Sequence, residues 1–447
     1  MIRFLLAGWI GLVCVGCAAP EAPRPNIVLI VADDLGYGDV GCYGHPVART
    51  PHIDRLAAEG VRFTQHYSSG PECSTTRTAL LTGRYPQRVG GLECAIGTGN
   101  VGRYDDAIRL AEKGDLGLPV SKAVLPRALK EVGYRSAIFG KWHLGYEKKF
   151  LPLQYGWDRF FGCLGGNVDY WTHRELSPLP VLYENNSPIE RQGYMTHLIA
   201  EEAIAFIRSD HGEKPFFCYV PLTTPHFPYQ PPGRVRKVNK ENWTDGTQKQ
   251  YVAMLEDMDA TVGRIEAAAD KTGRQRSTLF VFVSDNGGTS LANHKPFRGL
   301  KSGLLEGGIR VPLVARWPGR LPAGKVSQQV CATFDLTASI LAAAGAEPLP
   351  GRPLEGMDVL GRIADRKPPV DRTLYWRSKR GTKVWRAVRE GDLKYVRLEG
   401  IPGAGQWLYD LSTDPGEKQD LLGRRSEDAE RLKKKLSAWE QRVRPMR

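Results

Sequence analysis

The 447-residue sequence has few cysteines and a single long uncharged apolar run, and each shortage excludes a class of protein. Of the 8 cysteines, those after the N-terminal segment are widely spaced and form neither CxxC pairs nor a zinc-binding pattern. A disulfide-framework protein is therefore excluded, although one bridge could form in an oxidising compartment. The apolar run lies within the first twenty residues, so a polytopic membrane protein is excluded as well.

Acidic residues are also in short supply relative to basic ones. Asp and Glu total 49 against 62 for Lys and Arg, which gives a formal charge of +13. Such an excess indicates an anionic partner such as nucleic acid, anionic lipid or an acidic polymer, or merely a soluble basic surface. The remaining composition, 41% hydrophobic and 25% charged, is that of a globular protein and excludes general disorder, a collagen-like array and a coiled coil.

The N-terminus is typical of a secretory signal. Residues 1–3 are a short basic start, and the apolar residues 4–16 are too few for a stable membrane anchor. Residues 13–17 resemble a bacterial lipobox, which would place a lipid anchor on Cys17; ordinary cleavage near Ala19 is the alternative. We therefore expect a signal peptide over residues 1–19 and an exported protein, either periplasmic or an outer-membrane or cell-surface lipoprotein.

Strands alternate with helices through most of the chain, which predicts an α/β domain over residues 25–360. The first predicted strand, 26–32, is a continuous apolar run of the kind found in parallel strands buried on both faces. Further strands are predicted at 136–139, 216–220, 278–283 and 311–315, and helices near 50–60, 124–132, 198–206 and 251–265. Beyond the Pro- and Gly-rich residues 348–356, short strands and a final helix predict a small α+β subdomain over residues 361–447.

Acidic side chains follow two of these strands. Asp33 and Asp34 end the first strand, and Asp285 and Asn286 end a later one. Adjacent carboxylates repel each other unless a cation lies between them, and four oxygen donors suit Ca²⁺ or Mg²⁺ better than zinc. The alternative for such a pair is a solvated turn.

A second candidate site begins at Cys73. Residues 78–81 predict a helix that opens just after Cys73 and ends at Gly83, so Cys73 would meet the free N–H donors of a helix N-terminus. Arg77, one turn later, adds a planar fork of donors for an anion. The alternative is a buried structural cysteine.

Four more polar residues follow predicted strands or precede a Gly-rich block. Lys141 and His143 come after strand 136–139, His226 comes after strand 216–220, and Lys301 lies just before residues 306–312. A lone His or Lys is usually only a surface residue. Together with the acidic pairs and the Cys73 helix, however, they supply a metal site, an anion cradle, cations and proton donors. That combination is the equipment for hydrolysing the ester of a tetrahedral oxyanion.

This set of motifs resembles the type I, formylglycine-dependent sulfatases of the arylsulfatase A-like group. The family signature Cys-x-Pro-Ser-Arg-x-x-x-Leu-Thr-Gly-Arg matches residues 73–84 except at Thr75 and Thr76. Other blocks typical of the family are residues 26–36, 140–145, 285–287, 306–312 and 408–417. The resemblance covers the chain from residue 25 onward and implies the alkaline-phosphatase-like fold, a large mixed, mostly parallel sheet flanked by helices.

The resemblance also implies a chemistry for the site. Cys73 would be oxidised by a formylglycine-generating enzyme to formylglycine, an aldehyde whose hydrate is the nucleophile. One divalent cation, Ca²⁺ rather than Mg²⁺, would be bound by Asp33, Asp34, Cys73, Asp285 and Asn286. The implied function is that of an exported sulfatase that hydrolyses sulfate monoesters on a sulfated polysaccharide or oligosaccharide.

The family pattern assigns roles to the remaining residues. Arg77 would hold the hydrated aldehyde, while Lys141 and Lys301 would bind the sulfate oxygens. His226, helped by Lys301, would protonate the leaving oxygen. His143 would assist the second step.

Two other functions remain open at this point: a phosphonate or phosphodiester hydrolase with the same nucleophile, or a non-catalytic glycan-binding relative. No nucleic-acid motif is present, so we expect no nucleic-acid partner. Loops 167–173 and 293–298 are the candidates for substrate specificity. In them Trp171 could stack on a sugar, and His173, His294 or Arg298 could bind hydroxyl or anionic groups; simple loop packing is the alternative.

Overall fold

The computed structural model of the chain describes residues 24–233 and 235–444. The signal peptide predicted over residues 1–19 and the lipid anchor predicted at Cys17 lie outside these residues, so both remain predictions. Across the two described ranges, no helix has the length and apolar character needed to cross a bilayer.

The strands within the described residues belong to three sheets. In chain order they are β1 (Asn26–Ala32), β2 (Val61–Phe63), β3 (His66–Tyr67), β4 (Arg135–Phe139), β5 (Arg159–Cys163), β6 (Leu182–Glu184), β7 (Ser187–Pro188), β8 (Phe216–Pro221), β9 (Thr278–Ser284), β10 (Leu313–Arg316), β11 (Lys325–Ser327), β12 (Cys331–Ala332), β13 (Thr373–Arg380), β14 (Lys383–Glu390), β15 (Leu393–Glu399) and β16 (Gly405–Asp410).

A ten-stranded sheet forms the centre of the molecule, in the order β11-β2-β10-β9-β1-β8-β4-β5-β6-β7. The five central strands, β9-β1-β8-β4-β5, are parallel to one another, and antiparallel pairs begin on both sides, where β10 meets β9 and β6 meets β5. The prediction of a large mixed, mostly parallel sheet is therefore confirmed. Because parallel strands end at one edge, the residues after β1, β4, β8 and β9 meet there.

Helices cover both faces of the sheet. They are α1 (Pro51–Ala58), α2 (Cys73–Thr82), α3 (Asp105–Glu112), α4 (Leu125–Glu131), α5 (Met195–Arg208), α6 (Gln248–Lys271), α7 (Glu306–Ile309), α8 (Thr333–Ala343), α9 (Val359–Ala364) and α10 (Ser426–Arg442). Successive residues of β1 face opposite sides: Ile27 and Leu29 enter one hydrophobic core, and Val28 and Ile30 enter the other. The apolar run of β1 thus fits burial on both faces.

The C-terminal part of the chain is an antiparallel four-stranded sheet, β13 to β16, covered by α10. Its core includes Trp376 and Trp439 and is continuous with Tyr67 and Phe334 from the first part of the chain. The small α+β character predicted for this region is confirmed. The predicted division of the chain at residue 360 remains a prediction.

Candidate active site

Three carboxylates meet where β1 and β9 end. These strands are neighbours in register, with Ala32 opposite Ser284, and the Asp285 N–H donates to the Ala32 carbonyl at 3.0 Å. Asp34 adopts a left-handed backbone (φ 67°), and its N–H donates to Asp285 Oδ1 at 3.2 Å. Oxygen atoms of Asp33, Asp34 and Asp285 and the Cys73 sulfur all lie within 4.8 Å of one another.

Helix α2 presents Cys73 to these carboxylates. The helix begins at Cys73 and ends at Gly83, which takes the left-handed conformation (φ 65°), as predicted. The Cys73 sulfur lies 3.3 Å from Asp33 Oδ1. Burial, together with the Asp285 and Asp33 carboxylates, raises the pKa of the Cys73 thiol well above its usual value. The thiol is therefore protonated and a weak nucleophile as it stands.

Three cationic side chains lie beside these carboxylates and the Cys73 sulfur. The Lys141 ammonium donates to both oxygens of Asp33 at 2.7 and 2.8 Å and lies 3.2 Å from the Cys73 sulfur. The Lys301 ammonium lies 2.7 Å from Asp34 Oδ1 and 3.6 Å from the same sulfur. Arg77 donates to Asp285 Oδ2 and to the Lys141 carbonyl, each at 2.9 Å.

The charges of these buried groups balance. Three carboxylates face three cations, and burial alone would disfavour the charged form of each group. Burial raises the pKa of Asp34, but His226, Lys301 and Lys141 outweigh it and hold the pKa below its usual value. Adding one divalent cation to this balanced set would leave it with two positive charges, which favours binding of an anion.

The residues present fit such a cation. The side-chain amide of Asn286 donates to Asp34 Oδ1 at 2.7 Å and to the Gly287 carbonyl at 3.0 Å. Its Oδ1 is buried and accepts no hydrogen bond from any residue in the described part of the chain. A buried amide oxygen without a donor beside three carboxylates is the oxygen-rich set that Ca²⁺ or Mg²⁺ binds. Asp33, Asp34, Asp285 and Asn286 could hold the ion, with residue 73 beside them.

His226 is neutral and has a defined orientation. Burial lowers its pKa to about 3, and Lys301 and Lys141 reinforce this against the opposing effect of Asp34. Its Nδ1 lies 2.6 Å from the Phe227 carbonyl, so Nδ1 carries the proton and donates. Its Nε2 then accepts a hydrogen bond from the Lys301 ammonium at 3.0 Å.

His143 is the second buried imidazole of the site. Its Nε2 lies 3.0 Å from the Ile96 carbonyl and therefore donates, which leaves Nδ1 as the basic nitrogen. Among the residues that the structure describes, Nδ1 has no hydrogen-bond partner. Burial, followed by the Lys141 charge, lowers the pKa of His143 well below its usual value.

A cavity of about 300 Å³ opens above Cys73. Cys73, His143, His226 and Lys301 line it, whereas Lys141 and Arg77 are 0% and 1% exposed and lie among the buried carboxylates. All the residues predicted for the site are therefore brought together. Sequence reasoning missed other residues of the cavity wall, among them Glu72, Arg103, Thr289, Ser302 and Arg380.

The two candidate specificity loops lie mostly elsewhere. Asn167 lines the cavity above Cys73, but Trp171 and His173 line a separate cavity of about 510 Å³. The His173 Nε2–H donates a hydrogen bond to the Gly193 carbonyl at 2.9 Å. Arg298 packs over the Tyr409 ring and bonds to its hydroxyl. His294 bonds to the Thr289 carbonyl at 3.0 Å.

Comparison with known proteins agrees with this geometry. The model of the Sulfatase family matches residues 25–346, and the model described as N-sulphoglucosamine sulphohydrolase, C-terminal, matches residues 300–442. The chain is 31% identical to rat (Rattus norvegicus) N-acetylgalactosamine-6-sulfatase, covering 94% of this chain and 88% of the relative. It is 32% identical to human (Homo sapiens) arylsulfatase A, covering 90% and 84%.

Solved structures show the same architecture. Ps i-CgsB in complex with k-i-k-neocarrahexaose superposes with a TM-score of 0.81 at 29% identity, covering 95% of this chain and 94% of that one. The phosphonate monoester hydrolase of Agrobacterium radiobacter, at 20% identity and a TM-score of 0.64, shares the fold, with 94% and 96% coverage. The chain therefore belongs to the sulfatase family and is a sulfuric ester hydrolase on the alkaline-phosphatase-like fold.

Proposed function

We propose that this protein is an exported sulfatase that hydrolyses sulfate monoesters on a sulfated polysaccharide or oligosaccharide, with formylglycine at position 73 as its nucleophile. One observation carries the proposal: the Cys73 side chain lies at the floor of an open cavity, between the Asp33 carboxylate and the Lys141 and Lys301 ammonium groups. The sugar class is supported by the relatives, which include an N-acetylgalactosamine-6-sulfatase and a structure holding a carrageenan oligosaccharide.

The proposed maturation replaces the Cys73 thiol by an aldehyde: a formylglycine-generating enzyme passes two electrons from the side-chain carbon to an external oxidant, the C–S bond breaks and the sulfur leaves as sulfide. The buried, protonated thiol is a poor nucleophile, whereas the aldehyde hydrate offers two hydroxyl groups. Thr75 occupies the position where the family signature has proline; it lies in the first turn of α2, where backbone N–H groups lack intrahelical partners. We expect conversion to proceed with Thr75 in place.

Asp33, Asp34, Asp285 and Asn286 would hold the divalent cation, Ca²⁺ in preference to Mg²⁺. When bound, such an ion supplies positive charge that favours ionisation of a neighbouring hydroxyl. Arg77 holds Asp285 and Lys141 in place, because it donates hydrogen bonds to both the Asp285 carboxylate and the Lys141 carbonyl. Lys141 and Lys301 provide the charge that attracts the sulfate oxygens.

One hydroxyl of the residue 73 hydrate loses its proton to solvent before it reacts, and the reaction then needs two further proton transfers. The ionised hydroxyl attacks sulfur, and the bond from sulfur to the sugar oxygen breaks. The leaving oxygen takes its proton from the His226–Lys301 pair, in which the ammonium donates to His226 Nε2. His143, whose Nδ1 is the basic nitrogen, accepts the proton of the second hydroxyl, so that the aldehyde re-forms and sulfate leaves.

The test compares sulfate and phosphate esters. Purified protein from its native host should hydrolyse 4-nitrophenyl sulfate much faster than an aryl phosphodiester, and should release sulfate from at least one sulfated sugar in a defined panel. Cys73→Ala should abolish this activity, while Cys42→Ala, a half-buried cysteine outside the site, should retain it. Preferential phosphodiester hydrolysis would favour the phosphonate hydrolase alternative, and activity unaffected by Cys73→Ala would refute the nucleophile.

Export, and lipidation at Cys17, belong to the same proposal. They rest on the sequence of residues 1–19 alone. Fractionation of the native host, followed by mass analysis of the mature N-terminus, separates a lipid-modified Cys17 from ordinary cleavage near Ala19. Protein retained in the cytoplasm with Met1 intact would contradict export.

A further inference from the structure

The rim of the cavity above Cys73 carries two arginines that the proposed mechanism does not use. Arg103 precedes α3, and Arg380 ends β13 in the C-terminal sheet, yet both line this cavity. Their segments are joined by a hydrogen bond in which the Gly381 N–H donates to the Arg103 carbonyl at 2.5 Å. The two guanidinium groups are therefore brought to one wall by contact between distant parts of the chain.

The nearby negative charge does not balance both arginines. Glu72, 1% exposed, pairs with Arg380 at 3.2 Å, and its other oxygen accepts the Ala95 N–H at 2.7 Å. Arg380 also lies 3.4 Å from the Ser302 hydroxyl. No ion pair of Arg103 is found within residues 24–233 and 235–444. Burial and the neighbouring Arg380 charge together lower the pKa of the Arg103 guanidinium, as expected where cations crowd.

A sulfate monoester does not need these groups. The ester bears one negative charge, and Lys141 and Lys301 already lie beside the reacting residue. Guanidinium groups bind carboxylate and sulfate through paired, charge-assisted hydrogen bonds. An incompletely neutralised arginine pair on the wall of a substrate cavity is thus suited to a second anionic group of the substrate.

We propose that Arg103 and Arg380 form a second anion subsite, which selects substrates carrying a sulfate or carboxylate group besides the sulfate that is hydrolysed. This deepens the proposed function and rests on it. The second group would belong to the same sugar or to its neighbour. The enzyme then prefers polyanionic glycans to isolated sulfate esters, although it hydrolyses both.

The test measures kcat and KM on one substrate without a second anionic group and two substrates that carry one. The three substrates are 4-nitrophenyl sulfate, a disulfated disaccharide, and a monosulfated disaccharide containing a uronic acid. Arg103→Ala should raise KM for one or both of the sugars about tenfold, the loss expected for a charge-assisted contact, and change the aryl sulfate less than twofold. The sugar that responds identifies the second anion as sulfate or carboxylate.

Lys379→Ala is the matched control. Lys379 is the residue before Arg380 and bears the same charge, but its ammonium lies 5.9 Å from the Tyr104 ring centroid and does not line the cavity. The Lys379→Ala variant should leave the ratio of kcat/KM for the sugar substrates to kcat/KM for the aryl sulfate unchanged. Arg103→Lys should recover part of the loss.

Equilibrium binding separates this proposal from the proposed function. Calorimetry of the same disaccharides with Cys73→Ala protein needs no turnover, and adding Arg103→Ala should weaken the affinity about tenfold. Absence of sulfate-ester hydrolysis in the unaltered enzyme, with this affinity loss intact, would refute only the proposed function. Equal effects of Arg103→Ala on all three substrates, or unchanged sugar binding, would overturn the anion subsite.

Discussion

Replacing Lys394 by methionine should strongly lower the free energy of unfolding of the protein. Lys394 lies on β15 with its ammonium 2.8 Å from Glu306 and 2.9 Å from Glu417, and all three side chains are 0% exposed. Glu417 also accepts the Glu306 N–H at 2.6 Å. The cluster fastens the C-terminal sheet to α7, the helix that follows the loop carrying Lys301.

The expected magnitude follows from burial. Met keeps the length of the side chain and removes its charge, so that two carboxylates face each other without their shared cation. Burial and the neighbouring Glu306 already raise the pKa of Glu417. Breaking a buried ion pair by removing one partner costs about 3–5 kcal/mol of unfolding free energy. Lys394→Met should lower the denaturation midpoint in guanidinium by the corresponding amount.

Two further variants make the measurement specific. Lys394→Met combined with Glu417→Gln removes the unpaired carboxylate, and it should therefore be more stable than Lys394→Met alone. Lys433→Met breaks a partly exposed pair with Glu430 and should cost less than about 1 kcal/mol. A loss below 1 kcal/mol for Lys394→Met, or a double variant less stable than the single one, would refute the reasoning.

Three other predictions concern the site and one buried histidine. Asn286→Ala removes the free amide oxygen, so a thermal-shift titration should require at least tenfold more Ca²⁺ to reach half of the stabilisation seen in the unaltered protein. His226→Ala should slow hydrolysis of sugar sulfates far more than that of 4-nitrophenyl sulfate, because only the poor leaving group needs a proton. Burial lowers the pKa of His66 to about 3, so the unfolded chain alone binds a proton below pH 6.5. Unfolding free energy should therefore fall by up to about 1.4 kcal/mol per pH unit from pH 6.5 toward 3, and His66→Leu should remove this component.

Each of these has a contrary outcome. An unchanged Ca²⁺ midpoint in Asn286→Ala would exclude this residue as a ligand. Equal loss on both leaving groups in His226→Ala would mean that the imidazole positions Lys301 rather than supporting protonation. Identical pH profiles of stability in His66→Leu and the unaltered protein would show that His66 does not titrate on unfolding.

Most of the elements that could be predicted from the sequence are marked by long apolar runs or by local motifs. The strand predicted at 26–32 is β1 in full, since burial on both faces demands a nearly continuous run of apolar residues. Strands β2, β3, β11 and β12 have only two or three residues, too few to show a periodicity. Helix α8 is buried on nearly every side and has no polar face to mark it.

The centre of the site was predictable because its residues follow strand ends or open a helix. Asp33 and Asp285 come directly after adjacent strands, and Cys73 is the first residue of α2. Arg103 and Arg380 carry no such signal, since only tertiary packing brings them to one wall. The same limit applies to Trp171, whose loop faces a different cavity.

The most direct test of the central claim is the mass of the tryptic peptide that contains residue 73 and ends at Arg77, isolated from protein made in its native host. Conversion of the cysteine to formylglycine lowers the peptide mass by about 18 Da. We expect to find the peptide at this lowered mass in a preparation that releases sulfate from a sulfated sugar. A peptide with only the unmodified Cys73 thiol, in protein equally active on that sugar, would contradict the proposed nucleophile.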